Sequence, residues 1–102
     1  MTNKPIILKG ILSKNDAKNA CDLGVNGIWI SNHGGRVLES DITALEVIEE
    51  IKSVIPKKIT TIVDGGVRTG SDILKTMSLG ADFVGIGRLI AYGILADSNR
   101  GV

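Results

Sequence analysis

Gly27-Ile28-Trp29-Ile30-Ser31-Asn32-His33-Gly34-Gly35-Arg36 is the stretch on which the reading of the fold turns. Its first half is short and apolar throughout, as in a buried strand of a parallel sheet covered on both faces. Its second half puts a histidine and an arginine into a glycine-rich loop just past that strand's carboxyl end. In parallel α/β folds that end of the sheet is where ligands bind. Imidazole takes up a proton near neutral pH, and guanidinium grips a carboxylate at two points. Glycine lets the backbone turn tightly and approach a ligand closely. The plain alternative is a surface loop carrying an ordinary histidine.

The same strand–loop–helix grammar recurs on both sides of this stretch. Upstream, Pro5 to Lys9 is a strand ended by Gly10. Ser13 caps a helix whose inner face is Ala17, Ala20, Cys21 and Leu23, with Gly24 as the stop. Downstream, Asp41 is the expected cap of a helix carrying Ile42, Leu45, Val47, Ile48, Ile51 and Ile55 inward, stopped by Pro56. Ile59 to Val63 is the third strand. Ser71 is the expected cap of a helix with Ile73, Leu74 and Met77 inward. Ala81 to Ile86 is the fourth strand, and Leu89 to Leu95 a last helix. Strands alternating with helices at roughly 20–35-residue spacing imply a parallel sheet. Periodicity admits two architectures: half of an eight-stranded (β/α)8 barrel, or a small open doubly wound sheet.

Composition bounds the rest. The 102 residues suffice for one small domain, 43% hydrophobic and nearly neutral at net +1. Such a charge offers no footprint for nucleic acid or a membrane surface, and no apolar run is long enough to span a bilayer. The N-terminus has no apolar signal-peptide core, so a cytoplasmic protein is expected, with the peroxisome as the eukaryotic alternative. Cys21 is alone, which excludes an internal disulfide and a cysteine metal centre. It reads as a small buried side chain, and Trp29 and Tyr92 as packing residues.

All four strands end in groups suited to a site: Lys9; Ser31 with His33 and Arg36; Asp64-Gly65-Gly66-Val67-Arg68; and Gly87-Arg88. Two successive glycine–arginine loops suit the phosphate site found after the last two strands of many (β/α)8 barrels. There backbone N–H groups and a helix N-terminus receive the anion. Asp64 is the exception, being itself an anion, and suits a neutral hydroxyl on the ligand. Lys9 either snorkels to solvent or points at an electron-rich group.

Lys9-Gly10-Ile11, Ser31 to Arg36, Asp64 to Asp72 and Gly87-Arg88, in this order and spacing, resemble the FMN-dependent 2-hydroxy acid oxidases and dehydrogenases. Glycolate oxidase, lactate oxidase and flavocytochrome-type L-lactate dehydrogenase belong to that family. The resemblance implies FMN as cofactor and a (β/α)8 barrel of which residues 1–102 are a single partial domain, strands 5 to 8. It implies oxidation of an (S)-2-hydroxy acid to the 2-oxo acid. Lys9 would face the flavin N1/C2 carbonyl and Ser31 would hydrogen-bond the flavin. His33 would accept the substrate proton and Arg36 would hold the substrate carboxylate. Asp64 would bind the ribityl chain, with Gly65, Gly66, Val67, Arg68, Gly87 and Arg88 around the phosphate. Val37 stands where many members have glutamine, and Leu89 where many have proline. The implied partner is an N-terminal half-barrel, or failing that a second copy of the chain. The alternative is a non-catalytic flavin- or phosphate-binding half-barrel.

Overall fold

The computed structural model describes residues 2–36 and 42–102. Asp41, expected to cap a helix, and Val37, the departure from the family pattern, lie outside the described residues. The elements run β1 (Ile7–Ile11), α1 (Lys14–Asp22), β2 (Gly27–Ile30), α2 (Ala44–Val54), β3 (Thr60–Asp64), α3 (Gly70–Ser78), β4 (Phe83–Gly85) and α4 (Arg88–Asp97), followed by a 3₁₀ turn, Ser98–Arg100. Each strand is parallel to the one before it, and the sheet order is β1-β2-β3-β4.

That order decides between the two architectures left open by periodicity. A doubly wound sheet reverses its strand order at a switch point. Here the order never reverses, which is the winding of a (β/α)8 barrel. The register shows the consequence. Ile28, Thr61, Ile30 and Val63 share one face and are buried, against Ala17, Ala20, Val47, Ile48 and Ile51 of α1 and α2. Lys9, Trp29, Ile62 and Phe83 lie abreast on the other face, where Phe83 is 62% exposed. β2 is therefore covered on one face within this chain, although its apolar run reads as covered on both.

Several helix faces also differ from the periodic reading. In α3 the buried residue is Thr76, whose hydroxyl donates to the Asp72 carbonyl at 2.7 Å. Leu74 is 71% exposed and Met77 is exposed as well. The helix is turned so that Ile73, Thr76 and Leu79 take the inner side. Its cap is Thr69, not Ser71. Leu23 closes α1 and points outward, and Ile42 and Leu45 are exposed at the start of α2. Cys21 is half-buried against the core; burial first, then the Asp22 charge, pushes its thiol pKa up. In α4 no residue is buried, and Tyr92 is exposed rather than packed.

Both middle helices start on a reciprocal cap. The Glu46 carboxylate accepts from the Thr43 N–H at 2.6 Å and from its hydroxyl. Asp72 accepts from the N–H groups of Arg68 and Thr69 and from the Thr69 hydroxyl. Such bonds favour the ionised carboxylate. The Thr43 backbone bond, then its hydroxyl, holds Glu46 below its ordinary pKa. The Arg68 backbone bond, then the Thr69 hydroxyl, does the same for Asp72. With folded pKa values lowered, the unfolded chain takes up these protons first. The contribution is complete above the ordinary values and is lost as pH falls through the lowered ones. The melting temperature is expected to fall as the pH is taken below 4.5. Asp72→Asn is expected to flatten that acid limb in melts followed by circular dichroism.

Among the described residues the sheet is open at β1 and β4. Ile7 and Leu8 on β1, Phe83 on β4 and most apolar residues of α4 are exposed. Unpaired strand edges beside apolar surface drive pairing with another chain. The isolated chain is expected to associate, and sedimentation should show it. A compact 10.8 kDa monomer at high concentration would contradict this.

Candidate active site

Because the four strands are parallel and adjacent, their carboxyl ends form one rim. Lys9 is the hub of that rim. Its Nζ donates to Ser31 Oγ at 2.9 Å and to Asp64 Oδ2 at 2.8 Å, joining the ends of β1, β2 and β3. It also lies 4.1 Å from the centroid of the Trp29 ring, its neighbour in register. A cation over an indole face is attracted by the ring quadrupole. The lysine thus neither snorkels freely nor stands alone. Asp64 Oδ1 is buried with no hydrogen-bond partner among the described residues, as is Trp29 Nε1.

The histidine loop is built on Ser31 and Asn32. Ser31 is buried, and its hydroxyl oxygen also accepts from the His33 N–H at 3.2 Å. Asn32 Oδ1 accepts from the Gly34 N–H, and the Asn32 carbonyl accepts from the Gly35 N–H. Asn32 Nδ2 reaches across to the Ile42 carbonyl at 3.2 Å, tying the loop's entrance to its exit. His33, Gly34 and Gly35 are all left-handed, at φ of 56°, 69° and 75°. Two glycines take that conformation freely; histidine adopts it at a modest cost. Asn32 acts only on backbone groups, so its one signal in the sequence is asparagine's habit of forming such local turns.

A cavity of about 300 Å³ lies between this loop and the next two. Asn32, Gly34, Gly35, Gly65, Gly66, Val67 and Arg88 are among its walls. A Cβ on Gly34 would lie 3.5 Å from Arg88 Nη2, so the guanidinium reaches the histidine loop. A Cβ on Gly65 would lie 3.4 Å from Asn32 Oδ1. Arg36 and Arg68 are exposed and do not line the cavity. The two helix starts differ as well. At the start of α3 the Thr69 and Asp72 N–H groups are each served by the other residue's side chain. α4 opens on Gly87, with no side-chain acceptor. Both glycine–arginine loops thus lead into a helix N-terminus, the end of a helix that favours an anion.

A parallel sheet in unbroken order, with lysine, histidine, aspartate and arginine gathered at its carboxyl rim, has the build of a segment of a (β/α)8 barrel. The family model for FMN-dependent dehydrogenases matches residues 1–102, and the chain belongs to that family. It is 46% identical over 102 residues to the peroxisomal (S)-2-hydroxyacid oxidase GLO3 of Arabidopsis thaliana, covering 100% of this chain and 28% of that protein. It is 48% identical over 101 residues to an L-lactate oxidase of Lysinibacillus sphaericus, covering 99% and 26% respectively. Among solved structures, mandelate oxidase with (S)-2-phenylpropionate superposes with a TM-score of 0.94 at 42% identity, over 99% of this chain and 30% of that one. The chain thus spans under a third of the relatives it matches. FMN is the family's cofactor, and three features of this chain fit it. They are the orphaned Asp64 oxygen, the space where a Cβ on Gly66 or Gly87 would meet nothing within 4 Å, and Arg88 beside the cavity.

Proposed function

We propose that this chain carries the proton acceptor and the flavin-holding loops of an FMN-dependent oxidase or dehydrogenase of (S)-2-hydroxy acids of the lactate or glycolate type. The observation that carries the reading is Lys9, tied to Ser31 and Asp64 on the rim beside the His33 loop.

His33 is the proton acceptor at the substrate, on a loop whose backbone is held by Ser31 and Asn32. Arg36 grips the substrate carboxylate, a two-point contact that a guanidinium supplies. Lys9 faces the flavin N1/C2 carbonyl and places a cation where negative charge accumulates. Ser31 hydrogen-bonds the flavin. Asp64 receives a ribityl hydroxyl on its unpartnered oxygen. Gly65, Gly66, Val67 and Arg68, with Gly87 and Arg88, receive the phosphate. When bound, FMN supplies the two-electron acceptor, chemistry that no side chain provides. Residues 1–102 are then a single partial domain, the C-terminal half of a barrel, whose partner is the N-terminal half.

Colour is the test. The barrel reconstituted from this segment and its N-terminal half is expected to purify yellow and to bleach on anaerobic addition of L-lactate or glycolate. FMN that binds but never bleaches would support a non-catalytic flavin-binding half-barrel instead. A colourless protein that takes up no added FMN would refute both.

A further inference from the structure

Gly10 has no part in the chemistry above, yet it stands at a singular point of the sheet. The register of β1 on β2 runs Lys9↔Trp29 and then Ile11↔Ile30, so Gly10 is an extra residue, bulged out between them. Its φ is +92°, in the left-handed region. A Cβ built on it would lie 3.2 Å from His33 Cε1. Carbon atoms pack comfortably at about 3.5–4.0 Å, so even a methyl group here would press on the imidazole.

We propose that Gly10 is the positioning residue for His33: its bare, bulged backbone is the surface on which the imidazole edge rests. Two independent constraints converge on glycine. The bulge needs a left-handed residue, which glycine supplies without strain. The ring needs the space that a side chain would fill. The bulge also lies directly beside Lys9, whose ammonium is tied to Ser31, and the Ser31 hydroxyl in turn receives the His33 N–H. One irregularity in β1 thereby sets the ring and the ammonium relative to each other. The catalytic meaning of this placement rests on His33 being the proton acceptor; the placement itself does not.

His33 is the only histidine in the sequence, so its ring Hε1 resonance is unambiguous in spectra of the 102-residue chain. The unaltered chain is expected to show a nuclear Overhauser contact between a Gly10 Hα and His33 Hε1. Gly10→Ala is expected to shift that Hε1 resonance. Gly24→Ala is the control, because Gly24 is also left-handed, at φ +83°, but a Cβ there would meet nothing within 4 Å. It should lower the melting temperature and leave the Hε1 resonance in place. Absence of the Gly10–His33 contact would overturn the proposal. So would an unmoved resonance in Gly10→Ala, or an equal shift in Gly24→Ala. Should Gly10→Ala fail to fold, the contact in the unaltered chain decides alone. Turnover surviving in His33→Gln would remove the catalytic reading while leaving the contact intact, so the two failures are distinguishable.

Discussion

His33→Gln, placed in the reconstituted barrel, is expected to slow substrate reduction of FMN by ~10²–10⁴-fold, the usual contribution of a positioned general base, while FMN remains bound. Glutamine keeps a similar reach and can hydrogen-bond the substrate hydroxyl, but its amide does not take up a proton near neutral pH. The flavin-holding groups are elsewhere in the proposed site: the Lys9–Ser31–Asp64 cluster and the cavity bordered by Arg88 involve no His33 side-chain atom. The loop itself is held by bonds to backbone N–H groups, so it survives the exchange. Anaerobic stopped-flow absorbance reads the reduction step, and flavin fluorescence reads binding. Normal bleaching by this variant would take His33 out of the proton-accepting role. Loss of FMN together with activity would mean that the loop, and not the base, had been damaged.

Ile48→Ala is expected to destabilise the fold by about 2–5 kcal/mol, the usual range for truncating a buried branched aliphatic side chain. Ile48 is fully buried on α2, in the cluster that joins α1 and α2 to β2 and β3. A loss of that size is a large part of the ~5–15 kcal/mol that holds a domain folded. Leu74→Ala is the informative comparison. An amphipathic reading of α3 puts Leu74 in the core, yet it is 71% exposed. Its truncation is expected to change stability by no more than ~0.5 kcal/mol, as for exposed positions away from special features. Urea denaturation of both variants measures the difference. Equal costs would mean that α3 presents a different face to the sheet.

The alternation of strands and helices was legible in the sequence because it depends on local period and on punctuation. Gly24 and Pro56 follow helices where expected, and the parallel sheet follows from helices intervening between strands. The candidate site was legible for a related reason. Ser31, His33, Asp64 and Arg88 fall at or past strand ends, and Lys9 lies inside β1 two residues before its end, close enough for its long side chain to reach the rim those ends share. Chain order alone therefore gathered them.

The tertiary structure decided what depends on contacts between distant residues. Periodicity could not separate a half-barrel from a doubly wound sheet, because strand order is a property of pairing and not of any one segment. It could not orient α3, since a helix with apolar residues on adjoining stripes is turned by whatever it packs against; here Thr76 and Ile73 took the inner side and Leu74 was left out. β1 runs on to Ile11 instead of stopping at Gly10, because pairing with β2 tolerates a bulge where local propensity predicts a break. Lys9 is joined to Asp64 across 55 positions of sequence. A charge in an apolar run is visible in one dimension, but its partner is chosen only when the strands are laid side by side.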